Sequence, residues 1–192
     1  MSESRQHLRS IGTTLDFMTH IQTDPAVPNS ATSPLIAHPI PAARLDEIRS
    51  RGADDLGNRV EAAAATGDGE PLRCCLRYAV AGEAIALISY SPGGQGVWRE
   101  VGPVYVHADG CPGPTTTSLP EEMRGGSRVL RAYRPDGSMN YEQNTFVPEG
   151  EDIEDGLRRL LGDPDVSKVH VRTVLPQCYL FSVTMNTGQR ER

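Results

Sequence analysis

The chain contains little lysine, few aromatic residues and no long apolar run. Lys168 is the single lysine among 19 basic residues, and Phe, Trp and Tyr make up 5% of 192 residues. No stretch approaches the roughly 20 apolar residues that a membrane helix needs, and the N-terminus lacks the apolar segment of a secretory signal. We therefore expect a cytoplasmic protein that has no membrane partner.

A basic surface is also lacking. The net charge is −6, which argues against nucleic acid as a partner because phosphate binding needs positive charge. With 38% hydrophobic and 23% charged residues, the composition is that of a globular protein. A chain of this length can bury a sizeable core in one domain.

Cysteine is too sparse for a disulfide framework. The four cysteines are scattered at positions 74, 75, 111 and 178. In a strand, the adjacent Cys74 and Cys75 would point to opposite faces and would be poorly placed to bond each other. We expect free thiols, no bound metal and no cofactor.

Composition divides the chain into three parts. Residues 1–38 are rich in Ser, Thr, Asn and Pro and are predicted to be an N-terminal extension or linker. Apolar residues at helical spacing over 5–21 are compatible with an amphipathic helix and equally with a disordered tail. Residues 39–186 are predicted to form a single domain, and 187–192 a flexible tail.

Two helices are predicted within the domain. Pro41 and Gly52 bracket the first, at the positions where a helix accepts proline and favours a glycine cap. The second carries apolar residues at i, i+4, i+7 and i+8, namely Ile153, Leu157, Leu160 and Leu161. Acidic residues crowd the N-terminus of this helix and Arg158 and Arg159 lie near its end, which matches the helix dipole.

Strand patterns dominate the rest of the domain. Seven segments have this pattern: Leu72–Tyr78, Ala84–Tyr90, Val101–Ala108, Arg128–Tyr133, Met139–Val147, Lys168–Val174 and Cys178–Met185. Because most connections are short, the predicted fold class is α+β, with a mostly antiparallel, strongly curved or barrel-like sheet. Two main helices accompany it, with the extra N-terminal helix if residues 5–21 are helical.

Four of these segments carry a polar pair two residues apart. The pairs are Arg73/Cys75, Tyr105/His107, Arg131/Tyr133 and His170/Arg172. A strand has a side-chain period of two, so each pair is predicted to lie on one face of a sheet. Neighbouring strands would then form a polar face suited to holding an anion and moving a proton.

This pattern assigns candidate roles. For substrate binding, the candidates are Arg73, Arg131, Arg172 and Tyr105, because arginine binds carboxylates and phosphates bidentately. For catalysis, the candidates are His107 and His170 as general acid or base, Glu100 as an internal partner of one arginine that orients a group of the site, and Tyr133 as an oxyanion donor.

The cysteines allow alternative interpretations. Cys75 or Cys111 would act as a nucleophile if His107 activated it. A zinc site would draw on Cys75, His107, Cys111, His170 and Cys178, although no Cys-x-x-Cys motif anchors it. A third interpretation is that the cysteines are small buried hydrophobic residues.

Several motifs carry a resemblance to a known family. They are L-R-C-C-L-R at 72–77, E-V-G-P-V-Y-V-H at 100–107, L-R-A-Y at 130–133 and V-H-V-R at 169–172. From about residue 40 to 183 the chain resembles a bacterial family of unknown function, which implies no activity. The family reads Asn and Gly where this chain has Thr173 and Gln177.

The leading hypothesis is a cofactor-independent enzyme. It would perform lyase, isomerase or cyclase acid–base chemistry on an anionic or carbonyl-bearing metabolite. The alternatives are a non-catalytic small-molecule-binding or accessory protein and a zinc-binding structural domain. A homodimer is compatible with the sequence.

Overall fold

The computed structural model describes residues 33–93 and 96–186, which contain ten strands and three α-helices. The strands are Leu35–His38 (β1), Ala62–Ala64 (β2), Pro71–Leu72 (β3), Arg77–Tyr78 (β4), Ala84–Tyr90 (β5), Gly102–His107 (β6), Arg128–Tyr133 (β7), Thr145–Val147 (β8), Lys168–Arg172 (β9) and Tyr179–Met185 (β10). The helices are Ala42–Arg51 (α1), Glu121–Arg124 (α2) and Ile153–Leu161 (α3). The α+β class is therefore confirmed.

The ten strands divide into two open sheets. The first sheet has the order β1-β10-β9-β7-β8 and is antiparallel throughout. The second has the order β2-β5-β6-β3-β4, in which only the β3–β6 pair is parallel. The prediction of a barrel-like sheet is wrong, since neither sheet in the described ranges closes on itself. Local patterns predict strands, whereas pairing between distant strands decides whether a sheet closes.

Helix α3 covers one face of the first sheet. It begins after Asp152, whose side chain accepts a hydrogen bond from the Glu154 amide, and it buries the predicted apolar stripe. The stripe packs with apolar strand residues, which include Leu130, Ala132, Val169, Val171 and Val183. Strand residues between these positions face away from α3, and they include the polar pairs of β7 and β9.

Helix α1 belongs to the core of the second sheet. It follows Pro41 and ends at Gly52, whose φ of 66° is a left-handed conformation that glycine adopts readily. Leu45 and Ile48 are buried in a cluster with apolar residues of β3, β5 and β6. The structure thus confirms this predicted helix, with its first residue at Ala42.

The predicted continuous strand over 72–78 is wrong. The chain turns back between β3 and β4, where the Leu76 amide donates to the Leu72 carbonyl at 2.9 Å. Leu76 has a φ of 59°, which no strand residue adopts. Arg73 and the two following cysteines therefore lie in a tight turn, and alternation between faces does not apply to them.

Strand β1 lies inside the segment assigned to the extension. It pairs with β10 over four residues and buries Leu35 and Ala37. The predicted N-terminal helix at 5–21 and the tail at 187–192 lie outside the described residues. No helix in the described ranges is both long enough and apolar enough to cross a membrane.

Candidate functional site

Two of the four polar pairs meet on the first sheet. Arg131 of β7 lies directly opposite His170 of β9 in the antiparallel register. Tyr133 and Arg172 follow on the same face, two residues along their strands, as the strand period requires. This face is opposite the one that packs against α3.

Glu100 joins the two arginines. Its carboxylate accepts hydrogen bonds from Arg131 Nη1 and Arg172 Nη2, one on each oxygen. The Tyr133 hydroxyl donates to the same carboxylate at 3.3 Å. The Arg172 side chain is 7% exposed and that of Glu100 is 29% exposed, so the ion pairs are largely removed from water. We call Glu100, Arg131 and Arg172 the arginine–glutamate cluster.

Gln177 covers this cluster from the loop between β9 and β10. Its side-chain oxygen accepts from Arg131 Nη2 at 3.0 Å, and its carbonyl accepts from Arg172 Nη1 at 2.7 Å. The loop is tied at its base, where the Thr173 amide donates to the Cys178 carbonyl. Gln177 has a φ of 56°, a left-handed conformation that costs a side-chain-bearing residue about 1 kcal/mol or more. The contacts to the arginines hold it there.

Substitutions of Gln177 test this backbone strain. Gln177→Gly and Gln177→Ala both remove the contact with Arg131, but only glycine relieves the left-handed conformation. We expect the glycine variant to be more stable than the alanine variant by about 1 kcal/mol, measured by urea unfolding. Equal stabilities would show that the loop relaxes to a negative φ.

A pocket opens beside the arginine–glutamate cluster. It has a volume of about 390 Å³, and its lining includes Glu100, Arg131, Arg172, Gln177 and Tyr179. Two guanidinium groups and one carboxylate give this lining a net positive charge. Arginine has five N–H donors, and the hydrogen bonds described above use two on each guanidinium. One of the remaining donor atoms, Arg172 Nε, is buried and has no hydrogen-bond partner among the described residues.

His170 lies behind this pocket, where it is 0% exposed. Its ring packs against Tyr133 at a tilt of 43°, with 4.3 Å between centroids, and meets the edge of Tyr179 at 5.2 Å. Among the described residues, neither ring nitrogen has a hydrogen-bond partner. Burial first, and then the nearby charges of Lys168, Arg172 and Arg131, hold the pKa of His170 well below its usual range. The ring is neutral and packs as an aromatic residue.

Arg73 and Tyr105 line a neighbouring pocket of about 370 Å³. The two pockets share Pro103, Pro176 and Cys178. Arg73 is 3% exposed and donates to the carbonyl of Tyr179 at 2.8 Å. Burial lowers the pKa of its guanidinium to about 10. Arg73 thus connects the β3–β4 turn of the second sheet to Tyr179, the first residue of β10 in the first sheet. Tyr179 lies beside the arginine–glutamate cluster.

His107 contacts a different set of residues, at the far end of β6. Its Nδ1 lies 3.2 Å from Cys74 Sγ and 3.9 Å from Cys75 Sγ. Cys111 completes a group whose ligand atoms all lie within 4.8 Å of one another. We call Cys74, Cys75, His107 and Cys111 the thiol cluster. Two polar pairs therefore stay together on the first sheet, whereas the other two are split: Cys75 and His107 join the thiol cluster, and Arg73 and Tyr105 line the pocket next to that of the arginine–glutamate cluster.

The thiols of this cluster differ in acidity. Hydrogen bonds from the Cys75 thiol and from the backbone and ring of His107 lower the pKa of Cys74, against the opposing effect of burial. The pKa of Cys75 is raised, because its proton bonds to Cys74 and because the thiol is half-buried. Cys74 is therefore the thiol that ionises first.

Sequence reasoning missed Cys74. The predicted zinc ligands Cys75, His107 and Cys111 are together, but His170 and Cys178 lie at the other site. Cys74 takes part because the turn after β3 brings the two adjacent sulfur atoms to 4.0 Å. The available sequence signal was the Cys-Cys doublet followed by His-x-x-x-Cys. This pattern does not show that both adjacent sulfur atoms face His107, because that depends on the turn after β3.

Comparisons with known proteins return one match. No curated protein matches the chain, and no solved structure does. A family described as "Protein of unknown function (DUF1203)" matches residues 69–185, which include both the arginine–glutamate cluster and the thiol cluster. Because this match covers more than half of the 192 residues, the chain belongs to the DUF1203 family.

Proposed function

We propose that the protein binds a small anionic molecule in the pocket beside the arginine–glutamate cluster. The observation that carries the proposal is the charge of this pocket, where Arg131 and Arg172 share the single carboxylate of Glu100. An anion that approaches this lining meets one uncompensated positive charge and free N–H donors. Guanidinium groups match carboxylates and phosphates in geometry as well as in charge.

The surroundings of the pocket favour binding as well. Arg172 is held from both ends of its guanidinium, by Glu100 and by the Gln177 carbonyl. The Arg172 residue is 6% exposed, so its surroundings leave its side chain little freedom to move. A pre-organised arginine loses little conformational entropy when it binds a ligand, which improves affinity.

Catalysis is a second candidate, and one contact favours it. Among the described residues, Glu100 is the only carboxylate in the pocket lining, and Tyr133 donates a hydrogen bond to it. In a lyase, isomerase or cyclase reaction, Glu100 would be the acid or base and the arginines would hold the substrate anion. His107 would not take part, because it belongs to the thiol cluster, and His170 would act through packing.

The proposal also includes a small anion as the ligand, a bacterial cytoplasm as the location and a homodimer as the form to test. The net charge of −6 disfavours nucleic acid as the ligand, because nucleic acid needs an extended basic surface. A small anion needs only a local positive site. A bacterial cytoplasm would keep the four thiols reduced. Light scattering of the purified chain would show whether it forms a homodimer.

Titration of the protein with inorganic phosphate and with malonate tests the binding proposal. We expect either probe to raise the melting temperature of the wild type at constant ionic strength, because a ligand that binds only the folded state stabilises it. Arg131→Gln and Arg172→Gln should abolish most of this shift. Calorimetric titration would give the affinities.

Arg59→Gln is the matched control. Arg59 lies in the connection between α1 and β2, and 85% of its side chain is exposed. This variant should keep the full response to phosphate and malonate. Equal responses in all three arginine variants would mean that the anions act by general charge screening, and the proposal would fail.

A further inference from the structure

We propose that the thiol cluster binds a zinc ion, with Cys74, Cys75, His107 and Cys111 as its four ligands. This proposal does not depend on anion binding at the arginine–glutamate cluster. It replaces the sequence-based expectation that the protein binds no metal.

The spacing of the ligand atoms fits one tetrahedral ion. Zn–S bonds of about 2.3 Å and Zn–N bonds of about 2.0 Å place tetrahedral ligand atoms roughly 3.5–3.8 Å apart. The sulfur atoms of Cys74 and Cys75 are 4.0 Å apart, and His107 Nδ1 lies 3.2 Å and 3.9 Å from them. All four ligand atoms lie within 4.8 Å of one another, so side-chain movements that shorten the longest separations by up to about 1 Å complete the site.

The fold brings these ligands together from two segments distant in sequence. The turn between β3 and β4 supplies the adjacent cysteines, and its left-handed Leu76 is what lets both sulfur atoms face the same point. Strand β6 ends at His107, and the next loop supplies Cys111. Arg49 of α1 fixes this corner by donating to the carbonyls of His107 and Ala108, both at 3.1 Å.

The surroundings resemble those of metal-binding histidines. His107 directs Nδ1 to the thiols, and its Nε2 lies 3.5 Å from a carboxylate oxygen of Glu83. A zinc-binding imidazole commonly directs its second nitrogen to a carboxylate, which fixes its orientation. Arg77 pairs with Glu83 and lies 3.2 Å from His107 Nε2, so its charge offsets the thiolates.

The donor set favours zinc over a nucleophilic cysteine. Three sulfurs and one imidazole around a single point leave no open coordination position, which is typical of structural zinc sites. Cys74 is only 3% exposed and is poorly placed to attack a substrate. The backbone amide of His107 donates to Cys74 Sγ at 3.3 Å, a contact that stabilises a thiolate. Binding of Zn²⁺ would release the remaining thiol protons to solvent.

The proposed role of the ion is structural. It would tie the β3–β4 turn to the end of β6. This turn lies at the edge of the second sheet, where the β3–β4 ladder has only two residue pairs. Arg73 directly precedes Cys74 and reaches across to the Tyr179 carbonyl. The ion would thereby also hold the connection between the two sheets.

Metal analysis and alkylation of the untagged full-length protein test the proposal together. We expect one zinc per chain by elemental analysis. Iodoacetamide should label Cys178 alone in the native protein and all four cysteines after a chelator and denaturant are added. Cobalt(II) added to the metal-free protein should give the ligand-field absorption of a tetrahedral thiolate site.

Cysteine variants provide the matched comparison. Cys111→Ser should reduce the zinc content from one per chain to near zero, whereas Cys178→Ser should retain it, because Cys178 lies outside the thiol cluster. If Cys111→Ser fails to fold, the alkylation pattern and the cobalt spectrum of the wild type decide the question. Equal labelling of all four native cysteines, a disulfide within the cluster, or no thiolate–cobalt absorption would overturn the proposal.

Discussion

Replacing Glu100 with glutamine is expected to lower the free energy of unfolding by about 2–3 kcal/mol. The substitution keeps the size of the side chain but leaves Arg131 and Arg172 side by side without a counter-charge. Arg172 cannot turn to water, because its side chain is only 7% exposed. The loss should fall below that of a fully buried pair, since Glu100 retains some contact with solvent. Urea unfolding at neutral pH measures it.

Glu61→Gln is the control for this experiment. Glu61 is exposed and lies 3.9 Å from Arg59, so its substitution should change stability by less than about 0.5 kcal/mol. Equal effects of the two substitutions would show that Glu100 is not the counter-charge of the arginines.

The Glu100 variant also links stability to the proposed function. With the competing carboxylate removed, inorganic phosphate should raise the melting temperature of Glu100→Gln more than that of the wild type. A smaller rise would mean that the Glu100 side chain takes part in ligand binding instead of competing with the anion. That result would favour the catalytic candidate, in which Glu100 is the acid or base.

Part of this site could be predicted because its elements have clear local patterns. The apolar stripe of α3 and its acidic cap both lie within one short stretch of sequence, and the structure confirms the helix. The same holds for β7, where the apolar Leu130 and Ala132 alternate with Arg131 and Tyr133. Period two then places Arg131 and Tyr133 on the face away from the core. Glu100 was predicted as an internal partner of the arginines from its charge alone.

The rest depends on pairing between distant segments, which local patterns do not encode. Arg73 was assigned to a polar face by strand alternation, but a left-handed Leu76 ends that alternation inside the predicted strand. The chain then places β6 in the second sheet, and this separates His107 from His170. The thiol cluster exists only because of the same turn. The turn at Leu76 therefore accounts for the misplaced Arg73 and the missed Cys74, and the pairing of β6 accounts for the separation of the two histidines.

His170→Phe is expected to remove a pH dependence of stability that the wild type shows in weakly acidic solution. The unfolded chain binds a proton at His170 near pH 6.5, whereas burial and the neighbouring positive charges keep the folded ring neutral. The unfolded state therefore binds more protons as the pH falls, so the stability present above about pH 6.5 is lost below it. If the folded ring stays neutral at about pH 5, the loss from about pH 7.5 amounts to roughly 2 kcal/mol.

Phenylalanine keeps the ring between Tyr133 and Tyr179 and removes two buried nitrogens that have no hydrogen-bond partner. The variant should be at least as stable as the wild type at about pH 7.5 and clearly more stable at about pH 5. His38, whose pKa is also lowered by burial, titrates in both proteins, so the difference between their urea midpoints isolates His170. Parallel losses of stability would assign the pH dependence to other groups. If phosphate binding also survives the substitution, His170 supports the pocket by packing and is not its acid or base.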